Sequence, residues 1–180
     1  MKRLSFYSLM LLFTLFSACN DKTEMATETA NDAAMNNDQS KQKEMLEANR
    51  QVQRAIETGD SVSLMKYMAD DAVDHGGGPN GEDLKGKEIV SMLTNVHKDI
   101  DNLKFEVIQE AANEDHVFCL VRMSGTTNKP VWGMPANHKM DSRSVDVIKM
   151  RDGKMTDHWG FYDMAEMMQM MQAGKPAEKK

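Results

Sequence analysis

The chain changes its hydrophobic period several times, and each change marks an element. A mainly apolar run from Leu4 to Phe16 gives way to a polar stretch of Asn, Asp, Thr, Ala, Ser and Glu that reaches about Lys41. From Lys43 to Thr58, Met45, Leu46, Val52 and Ile56 recur among helix-forming neighbours, and Gly59 is a helix stop. Asp60 or Ser61 caps a second helix carrying Val62, Leu64, Met65, Tyr67 and Met68, so the spacing predicts a helical hairpin. A short strand, Ala72 to His75, runs into Gly76-Gly77-Gly78-Pro79-Asn80-Gly81, a cluster of breakers that reads as a flexible lip. Ile89, Met92, Leu93 and Val96 predict a third helix between Lys85 and about Asp99. Thereafter the period is that of strands: Leu103 to Ala112, His116 to Gly125, roughly His138 to Arg151, and Lys154 to Asp163. Helices first and a meander afterwards mean an α+β fold, with the helices packed on one face of a curved antiparallel sheet. A methionine-rich helical stretch, MAEMMQMMQ, closes the pattern from Met164 to Gln172.

The last two strands carry the candidate chemistry. Asp152-Gly153 supplies the positive φ angles of a tight hairpin turn. In the first arm Ser144, Asp146, Ile148 and Met150 share one face, and Val145, Val147, Lys149 and Arg151 share the other. In the return arm strict alternation puts Met155, Asp157, Trp159, Phe161 and Asp163 together. Carboxylates are thus interleaved with large apolar side chains. A carboxylate turned into an apolar cavity has its charged form disfavoured, which raises its pKa and suits it to acid or base work near neutral pH. Asp146 is the candidate on this reading; the alternative is a hydrogen-bonded structural acid.

Composition adds an address. Lys2 and Arg3, the Leu4–Phe16 run and Ser17-Ala18-Cys19 form a basic segment, a short hydrophobic segment and small residues at a cleavage point, the layout of a signal peptide over residues 1–18. Cys19 directly after small residues resembles a bacterial lipobox, with Phe16 where Leu is usual. That resemblance implies an acylated Cys19; a composition too poor in large apolar residues to offset the entropy of ordering makes 19–42 a disordered tether, before a folded domain over 43–173 and a flexible tail over 174–180. The expected location is periplasmic or at the outer membrane, with the lipid anchor as the sole membrane contact; an ordinary secretory signal is the alternative. Without Lys2 and Arg3, the 22 basic residues become 20 against 28 acidic ones, a formal charge of −8. Nucleic acid and anionic lipid surfaces are poor partners for such a chain. Cys119, the only other cysteine, falls in an apolar strand pattern and reads as a core residue.

The remaining polar candidates are weaker. His97 sits near a helix end, His116 opens a strand, His138 follows a loop, and His158 alternates with Trp159 and so is expected on the surface. No short-range spacing among these and His75 offers three convergent metal ligands, so neither metal nor cofactor is expected. The methionines of 164–172 are soft enough for copper(I), but packing is the preferred account of them, since methionines occur throughout the chain and no His or Cys is interleaved with this cluster. Trp132 is a candidate lid over a pocket or a packing anchor.

Taken in order, several pieces resemble the SnoaL-like polyketide cyclases, a branch of the superfamily named after nuclear transport factor two that includes ketosteroid isomerase. They are Ala55-Ile56-Glu57-Thr58-Gly59-Asp60, Met68-Ala69-Asp70-Asp71-Ala72-Val73 before His75, a helix starting near Gly86, Ser124-Gly125-Thr126, and Gly133-Met134-Pro135. The most specific are Asp146-Val147-Ile148, Arg151-Asp152-Gly153-Lys154-Met155, His158-Trp159 and Asp163. The resemblance covers about Glu47 to Met171. It implies a cone-shaped sheet wrapped around helices, with an apolar pocket at the wide end.

The resemblance further assigns Asp146 as acid/base and His75, before the glycine lip, as its partner base. Tyr67, Val73, Met92 and Trp132 are then expected in the pocket wall, with Cys119, Val121 and Met123 on the middle strand. Ile148, Asp157, Trp159 and Phe161 are expected there from the hairpin. Thr127 departs from the cyclase pattern, which often has His at that place. The function implied is a membrane-tethered, exported domain that binds a small apolar molecule and carries out aldol-cyclase or isomerase chemistry without a cofactor. A non-catalytic ligand-binding or homodimerisation module, and copper binding through the methionine tail, remain the alternatives.

Overall fold

A computed structural model of the chain describes residues 21–78, 80–132, 134–166 and 168, with side chains from Asn37 onward. The chain divides into two units, up to Asn36 and from Asn37 onward. The first is helical from Asp21. Helix α1 spans Asp21–Thr58, so it starts well before the Lys43 read from hydrophobic spacing and takes in most of the stretch expected as an unstructured tether. Ala, Glu, Gln, Met and Lys recur there, and their helix propensity sustains the backbone without an apolar stripe. The signal segment, Cys19, the tail after residue 173 and most of the 164–172 methionines lie outside the described residues.

In the second unit Asp60 caps α2 (Ser61–Tyr67), its carboxylate accepting from the backbone N–H groups of Val62 and Ser63. Strand β1 (Met68–His75) follows, then a two-residue strand β2 (Leu84–Lys85) and α3 (Lys87–Val96). Three long strands come next: β3 (Ile100–Asn113), β4 (His116–Thr127) and β5 (Lys139–Arg151). The last strand is β6 (Lys154–Tyr162), and a short helix begins at Met164. The six strands form one curved sheet in the order β2-β1-β6-β5-β4-β3. Only β1 and β6 run parallel, joining the first long strand to the last. The α+β fold and the meander are therefore as expected, with β1 starting at Met68 instead of Ala72.

The helices close one face of the sheet. Met45, Ala48, Val52, Ala55 and Ile56 form a buried helical stripe on α1 and join Val117, Cys119 and Val121 of β4 in one core with Ile148 and Met150 of β5. Leu64 and Ile148 are essentially without solvent exposure, and burying a side chain of that size is worth roughly 1.5–3 kcal/mol. Asn49, buried on the same stripe, donates to Cys119 Sγ at 3.5 Å.

One irregularity decides the geometry of the site. Asp152 and Gly153 both have positive φ, 53° and 73°, so the expected tight turn is present. On leaving it, Met150 pairs with Met155, whereas Lys149 pairs with Asp157. Thr156 is the extra residue of a β-bulge. Met155 and Thr156 are both buried, and the inward set then continues on the opposite parity.

Candidate functional site

Because the first arm of the hairpin is regular up to the bulge, β5 presents Met140, Ser142, Ser144, Asp146 and Ile148 to the helices, as its alternation predicts. They line a cavity of about 380 Å³ whose other walls come from α1, α3, β1, β3, β4, β6 and the loop before β5. The walls are mainly apolar: Val52 and Ile56, Ile89 and Leu93, and six methionines, Met68, Met92, Met123, Met134, Met140 and Met155.

Past the bulge, β6 contributes His158, Gly160 and Tyr162 to the cavity instead of Asp157, Trp159 and Phe161. His158, expected on the surface, is therefore an inward residue. Strand β1 pairs Asp74 with His158, and the Asp74 carboxylate lies 2.7 Å from Nδ1. The other ring nitrogen, Nε2, is 3.9 Å from Asp146 Oδ1. Asp74, His158 and Asp146 thus form a chain across three adjacent strands, with its Asp146 end among apolar residues. A Cβ on Gly77 would collide with the Asp74 carboxylate, so a lip glycine is what allows the backbone to close over that acid.

The electrostatics follow from burial and from these contacts. Burial pushes the Asp146 carboxyl above the ordinary carboxylate range, against the pull of His158 and a Ser144 hydrogen bond, while Asp74 pushes the same way as burial. For His158, burial alone favours the neutral ring. The Asp74 hydrogen bond and the charges of Asp146 and Asp74 outweigh it and raise the pKa above the ordinary 6.5. Burial, then Asp146 and Asp74, also raise the Tyr162 phenol. With Nδ1–H donated to Asp74, the imidazole has a fixed tautomer and directs Nε2 toward Asp146 and the cavity. A general base and a hydrogen-bond donor are therefore held side by side in apolar surroundings.

Several expected site residues stand elsewhere. His75 borders the cavity at the lip, but its ring is engaged on the other side of the sheet. Nε2 is 3.1 Å from Asp157, Nδ1 is 3.4 Å from Asp83, and the ring stacks on Trp159 with centroids 4.5 Å apart. The residue of β1 that reaches the inner polar chain is its neighbour Asp74. Asp157, Trp159 and Phe161 are outside the cavity because the bulge at Thr156 reverses the face on which they fall. Cys119 and Val121 do point inward but sit beneath α1 in the core, where burial pushes the Cys119 thiol up to about 12. Tyr67 packs against that core from α2 without lining the cavity.

Val73, Met92, Met123, Trp132 and Ile148 do line it. Trp132 stands half exposed at the rim with a φ of 50°, held in a turn closed by the bridge between Val131 and Met134. Thr127 is fully buried; its hydroxyl donates to the Pro135 carbonyl at 2.6 Å and accepts from His138 N–H at 2.9 Å. It pins the loop before β5 and contributes nothing to the cavity wall. Among the described residues no three His, Cys, Asp or Glu side chains converge as metal ligands.

Sequence reasoning missed Asp74, His158 and Tyr162. Asp74 could have been found, since it alternates with Ala72 on the apolar side of β1. The inward turn of His158 and Tyr162 could not, because a one-residue bulge leaves no mark in the period of so short a strand.

The Asp74 contact gives a sign to the titration of His158. A group whose folded pKa is raised adds stability that is fully present below its unfolded value, here 6.5, and that is lost as pH rises through the folded value. In Asp74→Asn the burial cost is no longer outweighed, so the imidazole midpoint followed by NMR falls to or below the ordinary value. An unchanged midpoint contradicts the proposed contact.

With the geometry established, comparison with other proteins places the chain. Wild-type IdmH from Streptomyces antibioticus superposes with a TM-score of 0.60 at 19% identity, over 71% of this chain and 98% of that one. TsrD from Streptomyces laurentii gives 0.63 at 16%, over 72% and 96%. A SnoaL-like polyketide cyclase from Agrobacterium tumefaciens gives 0.59 at 13%, over 69% and 95%. At these identities the likeness is one of fold. No curated protein matches the sequence. The family description that matches is SnoaL-like polyketide cyclase, over residues 46–171. The cavity-bearing domain accordingly belongs to the SnoaL-like polyketide cyclase family.

Proposed function

We propose that the cavity binds a small, largely apolar carbonyl compound and moves a proton at the carbon next to the carbonyl. The observation that carries this reading is the Asp74–His158–Asp146 chain at the wall of an apolar cavity. Asp146 removes the proton; its raised pKa makes it a stronger base than an exposed carboxylate. The imidazolium of His158, held by Asp74, donates Nε2–H to the enolate oxygen as charge develops there. The enolate carbon then either takes the proton back from Asp146 at a new position, giving isomerisation, or adds to a second carbonyl within the same molecule, whose oxygen takes the proton held on Asp146, giving ring closure. His158, with Asp74 behind it, takes the place given to His75 from sequence.

In heavy water, a panel of cyclic ketones and dicarbonyl compounds read by mass spectrometry tests this proposal. Deuterium enters next to the carbonyl with the wild-type protein, and Asp146→Asn slows it by about 10²–10⁴-fold. Exchange in neither protein, or equal exchange in both, removes the acid/base role.

A specific feature favours the second reading, pairing of two copies through the outer sheet face. Phe118, Val147 and Trp159 form one cross-strand row, and Leu120, Val145 and Phe161 form the next. Phe118, Val145 and Phe161 are 43–58% exposed. Such an apolar patch is self-complementary across a two-fold axis. Light scattering then gives a dimer for residues 37–180 and a monomer for Val145→Lys. A wild-type monomer at high concentration defeats the pairing.

The proposed setting is a membrane surface reached through acylated Cys19 after loss of residues 1–18. The basic-apolar-small pattern supports it, and no described helix is long and apolar enough to cross a membrane. Cys19→Ser moves the protein from the membrane fraction to the soluble one; retention in the membrane contradicts the anchor.

A further inference from the structure

The charge on the cavity wall is one-sided. Asp74 and Asp146 both face in, with His158 between them, and among the described lining residues none is Lys or Arg. Protonating His158 offsets one of the two carboxylates and leaves the other over. His75 at the lip does not supply the missing charge, because Asp83 and Asp157 already face its two nitrogens. The uncompensated carboxylate is Asp146: Asp74 has the short 2.7 Å contact with the imidazole, whereas Asp146 stands 3.9 Å from it.

The surroundings of Asp146 suit a cation. Ser142 and Ser144 lie on the same face of β5 and offer hydroxyl oxygens. The aromatic side chains of Phe105, Trp132 and Tyr162 and the methionine thioethers offer polarisable surface to a positive group and to the carbon skeleton attached to it. An anionic ligand meets the reverse: it loses its hydration beside two carboxylates with no basic side chain to receive it.

We infer that the cavity is a binding site for apolar amines, whose ammonium group pairs with Asp146 while the hydrocarbon part fills the methionine-lined space. This rests on the cavity being the ligand site and extends that reading to a second ligand class. An amine seated on Asp146 occupies the group that would take the proton, so such compounds bind as inhibitors of proton transfer and not as its substrates. The same geometry ranks ligands that share one skeleton in the order amine, alcohol, carboxylic acid.

Three naphthalene derivatives test the ranking by calorimetric titration of the full chain at neutral pH: naphthylmethylamine, naphthalenemethanol and naphthoic acid. The amine binds roughly tenfold more tightly than the alcohol, the value of one close charge pair in a partly desolvated site. The acid binds more weakly than both. Asp146→Asn removes the advantage of the amine over the alcohol, and a circular-dichroism spectrum and melting curve like those of the wild type show that the variant is folded. The inference is overturned if the alcohol or the acid binds as tightly as the amine, if none of the three binds, or if the advantage survives in Asp146→Asn. This readout is independent of turnover. Absence of deuterium exchange with the ranking intact sinks the proton-transfer reading alone, and exchange with no ranking sinks this one alone.

Discussion

The contact between Asp74 and His158 holds the candidate site in its working form. It joins the first long strand to the last across the only parallel pairing in the sheet, and it does so on the inner face, where neither group has full access to water. Burial by itself would push the imidazole toward its neutral form; the Asp74 contact and the neighbouring carboxylate charges outweigh that and raise its pKa. The ring is then oriented, and the second carboxylate, on the neighbouring strand, meets its free nitrogen. Remove the first contact and the tautomer, the charge of the ring and the environment of Asp146 change together.

That arrangement depends on a single extra residue. A regular β6 would carry Asp157, Trp159 and Phe161 inward and leave His158 outside. The bulge at Thr156 reverses this, placing Trp159 on the outer face, where it stacks on His75. The two histidines exchange the parts that sequence suggests for them: His75 ties the glycine lip to the outside of the sheet through Asp83 and Asp157, while His158 serves the cavity. The glycine at position 77 fits the same plan, since only a residue without Cβ lets the lip approach Asp74 so closely.

These details mark where a reading of the sequence succeeds and where it stops. The helix stop at Gly59, the cap at Asp60, the Asp152-Gly153 turn and the alternation of β5 are local signals, and the structure follows each of them. The inward direction of Asp146 was legible for the same reason, because β5 alternates without interruption across the stretch that holds it. The direction of His158 depends on register between strands, which is a property of pairing and not of composition. Cys119 and Val121 show a different limit. Alternation tells that they point inward, but not that α1 covers them, since that depends on how far the helix reaches along the sheet. The extension of α1 back to Asp21 shows that helix propensity operates where an apolar stripe is missing.

The account therefore turns on which side of the sheet carries the imidazole of His158, and proton distances measure that directly. In the wild-type protein, nuclear Overhauser contacts from the His158 ring to the methyl groups of Ile148, its cross-strand partner on the inner face, are expected, together with contacts to the Tyr162 ring. Contacts to the methyl groups of Val147 on the outer face, with none to Ile148, would contradict the bulge, the chain of three polar groups and the chemistry built on them.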